Sequence, residues 1–363
     1  MLYQQDLDAK FYRQWLVRNA VASCKGLIGI AQAKGMGPLD AAAVAVVEEL
    51  DEGVMPPEEG IAAVETLWAS GVLQTAYDEN VKSPTTWLPD HAVYYVQQVR
   101  DFSDPKFIPT HSQMLLTRSL TVGVNNVAFS DAVDGAYLMA HCPVAAQMLG
   151  SEEIGTACKL DWEVIDVGGQ RGERRKWMNT LTDALGLIFT FGLSEYAQVL
   201  YEDPDTIRMQ ESMDLFDKWA NHQDFSRKPI VVAFTKKDIY QKNFDLEKFK
   251  AFFTDFEVEE GKSKDEVAEL GMKHIEARVR GLLKDKRKKV TPFFINTTDK
   301  EDFFDMLEGL KEIVAKHNNA KIMDAVQRSL DAKKEPGSGM SAQGNMAADV
   351  NGGGGSGGCC TIS

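Results

Sequence analysis

The stretch DVGGQRGERRKW, residues 166–177, decides the fold. Residues 160–165 (LDWEVI) precede it and have the apolar and β-branched content of a strand, so a strand is predicted to end at Asp166. Two glycines follow, and glycine lets a backbone N–H approach an anion because no Cβ is in the way. A carboxylate at a strand end suits Mg²⁺, directly or through water, and Gln170 can orient a water molecule. These are the parts that a phosphoryl-transfer site needs.

Composition and charge restrict the class of protein. The chain has 363 residues, 44% hydrophobic and 26% charged, as in a soluble globular protein of one large domain or two. A net charge of −14 argues against a nucleic-acid partner. No apolar run reaches membrane-spanning length, and the charged N-terminus does not predict a signal peptide. Scattered Cys24, Cys142 and Cys158 indicate a reducing compartment.

The first part of the chain, residues 1–112, is predicted to be all-helical. Apolar residues recur at close to the helical period over 11–33, and glycines and a proline end that segment. Further amphipathic segments cover 39–50, 57–70 and 90–102. A helical bundle with no binding or catalytic role would also give this pattern.

The second part, residues 113–330, is predicted to alternate between strands and helices. Strands are predicted at 122–129, 160–165, 185–191, 228–234 and 292–295, and helices at 209–220 and 303–317. The nearly all-apolar run at 228–234 is typical of a parallel strand. An insertion at about 130–159 is far longer than a hairpin loop, and a small helix is predicted within it at 136–149.

The third part, residues 331–363, is rich in Gly, Ser, Ala and Met, which predicts a flexible tether. It ends in CCTIS, so that Cys360 stands four residues from the end with an aliphatic residue and a serine after it, a prenylation signal. One lipid binds a membrane only marginally, and Cys359 is the predicted second acylation site. Two reactive cysteines on a tail remain the alternative.

The motif at 166–177 resembles the switch II region of heterotrimeric G-protein α subunits, and a charged loop after a buried strand is the alternative. The helical part is similar to the all-helical domain of that family in three segments, AVETLWASGVLQTAY, LPDHAVYYVQQVRDF and FIPTHSQMLLTR. The resemblance implies an α/β fold, a Ras-like, P-loop-type parallel sheet whose first strand is missing, with an inserted all-helical domain.

Residues 115–123 (LLTRSLTVG) resemble switch I of the same family. The resemblance implies that Arg118 is an arginine finger supplied in cis, worth roughly 10³–10⁵ in rate, and that Thr121 ligates Mg²⁺. By the same resemblance Asp166 reaches the ion through water, Gln170 orients the attacking water and Gly169 senses the γ-phosphate. A surface arginine and a strand threonine are the structural alternative. Nucleotide contacts are implied for Asp90, Leu115, Thr117, Arg118, Thr121, Gly169, Thr235, Lys236, Asp238 and Thr297.

Residues 235–238 (TKKD) resemble the guanine-specificity motif of the family. There Asp238 would accept two hydrogen bonds from the base and Lys236 would lie along its ring. Thr235 stands where the family has asparagine, which predicts weaker affinity but the same specificity. Residues 296–299 (NTTD) take the place of the second base-binding loop, where Thr297 replaces a small alanine.

The phosphate-binding pattern G-x-x-x-x-G-K-[ST] does not occur in the sequence. The chain begins where the first long linker of the family would be, so we expect a gap one strand wide between two interior strands. Such a gap loses on the order of 10 kcal/mol of stabilisation from the burial of apolar side chains. It also leaves two strand edges without hydrogen-bond partners. This favours an incomplete sequence over a chain that functions without a phosphate loop.

The resemblance implies a switch that binds GTP/GDP with Mg²⁺, hydrolyses GTP, releases a βγ dimer and engages an effector. A G protein-coupled receptor would contact residues 316–323, and lipid would hold the chain at the cytoplasmic face of the plasma membrane. The alternative function is that of a nucleotide-free, membrane-tethered interaction protein that sequesters βγ or the receptor.

Overall fold

The structure is a computed structural model, and it describes residues 9–119, 121, 123–133, 158–288, 290–317, 323, 326–327 and 359–362. An all-helical part comes first in the chain and a six-stranded sheet flanked by helices follows. The α/β fold class and the separate helical part expected from the sequence are both confirmed.

The helical part is arranged around its longest helix. Its helices are α1 (Ala9–Ala33), α2 (Ala41–Glu49), α3 (Glu58–Ala69), α4 (Val72–Lys82), α5 (Ala92–Gln97), α6 (Val99–Ser103) and α7 (His111–Leu116). Leu16, Ala20 and Leu27 recur on one face of α1 and are fully buried, and this helix contacts α2, α4, α5 and α6. No helix in the described ranges is long and apolar enough to cross a membrane.

The sheet has the strand order β1-β2-β6-β3-β4-β5. Its strands are β1 (Val124–Val133), β2 (Cys158–Val167), β3 (Leu187–Gly192), β4 (Ile230–Thr235), β5 (Val290–Phe294) and β6 (Cys359–Ile362). β1 and β2 are antiparallel, and every other neighbouring pair is parallel. Parallel strands with helices on both faces are buried on both sides, which explains the apolar runs in β3 and β4.

Helices cover both faces of the sheet. They are α8 (Trp177–Leu181), α9 (Arg208–Ala220), α10 (Lys237–Asn243), α11 (Leu246–Phe252), α12 (Lys264–Gly281) and α13 (Lys300–His317). One face packs Leu187 and Val232 against residues of α9 and α12. The other face packs Ile188 and Val231 against α13, including Leu310. These two cores fix the positions of the strand ends, where the candidate site lies.

The β1–β2 hairpin is longer than the sequence predicted. Val133 pairs with Cys158, so the strands extend into both ends of the segment 130–159 that we expected to be an insertion. The small helix expected at 136–149 lies outside the described residues. The helix expected at 90–102 is two helices, α5 and α6, which meet at Gln98.

The expected gap in the sheet is wrong for this structure, because β6 occupies it. β2 pairs with β6 over Val164–Val167, and β3 pairs with β6 over Leu187–Phe189. Residues 359–362 are therefore a strand, although the sequence predicted a flexible tether to the end of the chain. The physical reason is that two facing strand edges offer unpaired backbone groups, which an extended segment can satisfy.

Candidate functional site

The predicted site residues follow strand ends at one edge of the sheet. The parallel strands β2, β3, β4 and β5 all end at this edge. β1 runs the other way, and its first residue, Val124, pairs with Val167 near the end of β2. The segment before β1 therefore lies beside the segment after β2. In open α/β sheets, ligands bind outside the carboxyl ends of the strands.

A cavity of about 280 Å³ lies between the helical part and this edge. It brings together seven of the predicted nucleotide contacts, from the loop before α5, the end of α7 and the loop after it, the loop after β4 with the start of α10, and the loop after β5. These residues are Asp90, Leu115, Thr117, Arg118, Lys236, Asp238 and Thr297. Segments more than 200 residues apart in sequence thus line one cavity.

Lys236 is the centre of an ion-pair network in the cavity wall. Its Nζ lies 2.8 Å from Asp90 Oδ2 and 2.9 Å from Glu195 Oε1. Arg208 also pairs with Glu195, and Gln198 Nε2 donates to Asp90 Oδ1 at 3.0 Å. The network joins the helical part to the sheet part through charged groups that are largely buried.

The network keeps its carboxylates ionised. Burial alone would raise the pKa of Asp90, but the charge and hydrogen bond of Lys236 outweigh it, and the pKa falls to about 2. Burial likewise opposes ionisation of Glu195, and the charges of Arg208 and Lys236 lower its pKa below the usual range. At neutral pH the network therefore pairs two cations with two anions.

The loop after β4 presents Asp238 toward solvent. Lys236 adopts a left-handed backbone conformation (φ 61°), which turns the chain sharply before α10 begins. Thr235 Oγ1 donates to the carbonyl of Phe191 at 3.3 Å, so this side chain braces the end of β3. Asp238 lies in the first turn of α10 and is exposed on the cavity. A carboxylate at this position can accept hydrogen bonds from a ligand.

The loop after β5 is shaped by Asn296. Its Oδ1 accepts hydrogen bonds from the backbone N–H and the hydroxyl of Thr298, at 3.0 and 2.7 Å. The backbone N–H of Asn296 donates to Asp302 Oδ2 at 2.8 Å. These bonds fix a tight turn that leaves Thr297 exposed on the cavity.

Arg118 is held against an aromatic ring in this structure. Its guanidinium carbon lies 3.8 Å from the centre of the Trp87 ring, a cation–π contact. Burial, together with the nearby charge of Arg208, lowers the pKa of Arg118 to about 10. Tyr95 donates its hydroxyl hydrogen to the Leu116 carbonyl and so fixes the preceding turn. The Arg118 guanidinium is therefore held beside the helical part, which contributes Trp87.

Thr121 and Asp166 meet in a second cluster at the sheet edge. Thr121 Oγ1 donates to Asp166 Oδ2 at 3.2 Å, and burial raises the pKa of Asp166 although this hydrogen bond opposes the shift. The backbone N–H of Gly168 donates to the carbonyl of Gly123 at 3.1 Å. A Cβ on Gly168 would lie 2.8 Å from the carbonyl oxygen of Thr121, so only glycine allows this approach. The two predicted switch segments are therefore packed together.

The charged run after β2 is tied to α9 through Glu211. Arg174 Nη1 lies 2.6 Å from Glu211 Oε1, and its Nε donates to the carbonyl of Gly169 at 3.0 Å. Arg171 pairs with the same carboxylate at 3.3 Å. The Trp177 indole donates to the carbonyl of Gly168 at 2.7 Å. These contacts position Gly169 and Gln170, which lie between the anchored residues.

The resemblance implies one common cavity for Arg118, Thr121, Gly169 and Asp238, and the structure does not show that. Arg118 and Asp238 line the cavity, whereas Thr121, Gly169 and Gln170 are not among its lining residues. Thr235 and Asp166 are also outside the lining. The physical reason is that Arg118 is held by Trp87 while Thr121 is held by Asp166, so the segment between them spans two separate clusters.

The oxygen atoms of Thr121 and Asp166 fit a Mg²⁺ site. In the part of the chain that the structure describes, no three His, Cys, Asp or Glu side chains cluster as metal ligands. Mg²⁺ needs no such cluster, because it is commonly bound by one or two protein oxygens together with water and substrate phosphates. Two adjacent hard oxygen ligands at the strand edge meet that requirement.

Sequence reasoning missed three residues that shape the cavity. Glu195 is 7% exposed and makes two ion pairs. Its signal was a carboxylate placed three residues after the apolar strand LIFTFG. Arg208 and Trp87 carried no comparable signal, because their roles depend on partners far away in sequence.

Comparisons with known proteins agree with this geometry. A family model described as the G-protein alpha subunit matches residues 3–314. The alpha-8 subunit of Dictyostelium discoideum is 28% identical over 280 residues, covering 77% of this chain and 60% of the relative. The G(o) subunit alpha of Locusta migratoria is 30% identical over 241 residues, covering 64% and 60%. The chain spans between about half and two-thirds of the length of the curated relatives it matches.

Proposed function

Because the chain belongs to the G-protein alpha-subunit family, we propose that it binds guanine nucleotide in the 280 Å³ cavity and acts as a GTP-hydrolysing switch. The observation that carries the proposal is that Asp238, Lys236, Thr297 and Arg118 all line that cavity. Two loops at the carboxyl ends of strands, those after β4 and β5, and the segment after α7 contribute to this set.

The base would lie against the loops after β4 and β5. The exposed carboxylate of Asp238 accepts hydrogen bonds from the N–H groups of a guanine edge, and such charge-assisted bonds are stronger than neutral ones. The aliphatic stem of Lys236 packs beside the ring, since its ammonium is already held by Asp90 and Glu195. Thr297, larger than the family's alanine, narrows the pocket and weakens binding.

The phosphates would lie toward Thr121 and Asp166, whose oxygens would hold Mg²⁺, the latter through water. When bound, the ion neutralises charge on the phosphate oxygens. Gly169 offers its backbone N–H to the γ-phosphate and Gln170 orients the attacking water. Arg118 stabilises charge in the transition state after it leaves the Trp87 ring. Loss of the γ-phosphate then releases the segment that Glu211 anchors.

A switch of this family would act with other proteins at a membrane. We place a βγ dimer, an effector and a G protein-coupled receptor among its partners, with the receptor at residues 316–323. Prenyl transfer from an isoprenoid diphosphate to the Cys360 thiol would form a thioether, with loss of the thiol proton and of diphosphate. Acylation of Cys359 would supply the second anchor, and both would hold the chain at the cytoplasmic face of the plasma membrane.

A second candidate is a nucleotide-free, membrane-tethered protein that sequesters βγ or the receptor. Two observations favour it. The sequence has no G-x-x-x-x-G-K-[ST] pattern, and Lys236 already has two carboxylate partners in the cavity wall.

Titration of a fluorescent guanine nucleotide into the full chain, with and without Mg²⁺, separates the two candidates. Micromolar or tighter binding that depends on Mg²⁺ supports the switch and excludes the nucleotide-free protein. No binding excludes the switch for this chain. A fluorescent adenine nucleotide is the specificity control, because adenine presents no matching N–H pair to Asp238.

A further inference from the structure

A cavity of about 90 Å³ lies between the helical part and the turn that follows β3. The helical part supplies the end of α4 and the loop before α5, and the other part supplies residues 194–199 and α10. Trp87, Pro89, Asp90 and Ile239 line both this cavity and the 280 Å³ cavity, so the two are neighbours. We propose that the smaller cavity is a separate binding site for a neutral one-ring molecule that carries a hydroxyl group.

The volume of the cavity limits the size of the molecule. One water needs about 10–15 Å³ of such space, so the cavity holds roughly six to nine groups of that size. A single ring with one substituent fills it. A nucleoside does not fit, so the site is not a second position for the nucleotide proposed above.

Most of the residues that line the cavity are aromatic or aliphatic. Tyr77 and Trp87 belong to the helical part, whereas Tyr196 and Tyr240 belong to the sheet part. Tyr196 and Tyr240 are buried, so the surrounding core fixes their rings. Aromatic rings contact one another favourably edge to face or with an offset. An aromatic ligand ring would therefore contact both parts of the chain at once.

The charged groups of the lining already have partners. Asp90 is paired with Lys236, and Lys248 Nζ donates to the carbonyl of Val81. A charged molecule would lose hydration on entering and would find no free counter-charge among these residues. The lining therefore favours a neutral molecule.

Ser194 gives the reason for the hydroxyl group. Its side chain lines the cavity, the residue is 8% exposed, and its Oγ has no hydrogen-bond partner among the residues that the structure describes. Two other polar residues of the lining are engaged, since Asn80 donates to the carbonyl of Thr86 and Gln198 donates to Asp90. A buried polar group without a partner is costly, and a hydroxyl on the ligand can both donate to Oγ and accept from it.

Fluorine NMR on the full chain tests the site with three probes of similar size. Para-fluorophenol is expected to bind saturably with a Kd of about 1 mM or tighter. Fluorobenzene lacks the hydroxyl and should bind about tenfold more weakly. Para-fluorobenzoate carries a charge and should not bind. Failure of para-fluorophenol to saturate, or equal binding of the three probes, overturns the proposal.

Two variants locate the bound probe, one in each part of the chain. Ser194→Ala should weaken para-fluorophenol to the level of fluorobenzene and leave fluorobenzene unchanged, because only the hydrogen bond is lost. Val81→Trp should abolish binding of both probes, because the larger side chain fills the cavity from α4. Val81 is partly exposed, so the core does not have to accommodate the change.

Val54→Trp is the matched control, since it enlarges an exposed valine of the helical part that does not line the cavity. Binding in this variant should equal that in the unchanged chain. If Ser194→Ala and Val81→Trp bind para-fluorophenol as the control does, the probe binds elsewhere and the proposal is wrong. Should either variant fail to fold, the comparison of the three probes on the unchanged chain still decides whether the site selects a neutral hydroxyl compound.

Discussion

Lys236 Nζ lies 2.8 Å from Asp90 Oδ2, so the loop after β4 is ion-paired to the residue before the N-cap of α5. This ion pair between largely buried side chains helps to fix the helical part relative to the sheet part. Removing either partner leaves a charge that water reaches only in part, since the two side chains are 24% and 15% exposed.

Lys236→Met should destabilise the fold. The change leaves Asp90 without its ammonium and leaves Glu195 with Arg208 alone. Breaking a fully buried pair costs roughly 3–5 kcal/mol, and the partial exposure here reduces our expectation to about 2 kcal/mol. Urea unfolding measures the effect. Lys242→Met removes an exposed lysine on α10 as the control and should change stability by less than about 0.5 kcal/mol.

The stability of the fold should fall in acid partly because of Asp90. Its folded pKa is depressed from 3.8 to about 2, so the stabilisation is complete above about pH 4 and is lost as pH falls toward 2. The full difference is about 2 kcal/mol. Asp90→Asn should therefore show a flatter dependence of unfolding free energy on pH between 4 and 2. An identical slope in the variant would assign the acid sensitivity to other carboxylates.

Asp238→Asn should change the preferred base. The variant loses the carboxylate that accepts from guanine N–H groups, which weakens guanine nucleotide binding by roughly 10²-fold. Its amide N–H can donate instead to the second carbonyl of xanthine, so xanthine nucleotide should bind more tightly than guanine nucleotide. Competition between the two nucleotides measures the preference. Asp245→Asn changes a helix cap outside the cavity lining as the control, and an unaltered preference in Asp238→Asn argues against base recognition there.

Arg118→Cys should slow GTP hydrolysis by roughly 10³-fold in a single turnover, because the variant cannot stabilise transition-state charge. Trp87→Leu is the matched variant, since it frees the guanidinium from the ring without removing it. Its rate should equal or exceed that of the unchanged chain. If Arg118→Cys hydrolyses GTP normally, the arginine is only a structural partner of Trp87.

Glu211→Ala should loosen the segment after β2. Arg171 and Arg174 lose their shared carboxylate, and the carbonyl of Gly169 loses the oriented guanidinium that Glu211 holds. Trypsin is expected to cut this segment about tenfold faster. Asp214→Ala removes an exposed carboxylate one turn along α9 as the control. Equal cleavage in the two variants would mean that other contacts anchor the segment.

Local periodicity was enough to predict the helices and strands whose buried positions form a regular pattern along their own sequence. The apolar positions of α1 and the continuous apolar runs of β3 and β4 identify their own structure, because burial on one face or two leaves a direct pattern in sequence. Lys236 and Asp238 could be placed at the end of β4 for a similar reason, since they follow directly on such a run, whereas their predicted roles came from the resemblance of TKKD to the family's motif.

The rest depended on partners that no local pattern identifies. Trp87 and Arg118 stack although 31 positions separate them in the chain. The pKa of Glu195 is lowered despite its burial because Arg208 and Lys236 surround it. β6 has four residues, which is too short a segment to show a periodic pattern. It is a strand because its backbone pairs with the edges of β2 and β3. These pairings depend on the tertiary structure, which no short stretch of sequence specifies by itself.

The position of β6 also affects biosynthesis. Every other strand in the described part of the chain is synthesised before it, yet β6 lies between β2 and β3 in the finished sheet. At about 5–20 residues per second, translation of the stretch between β5 and β6 takes several seconds. During that interval β2 and β3 lack the backbone pairing that β6 gives them. Holdase chaperones that bind exposed strand edges are therefore expected to associate with this chain late in translation.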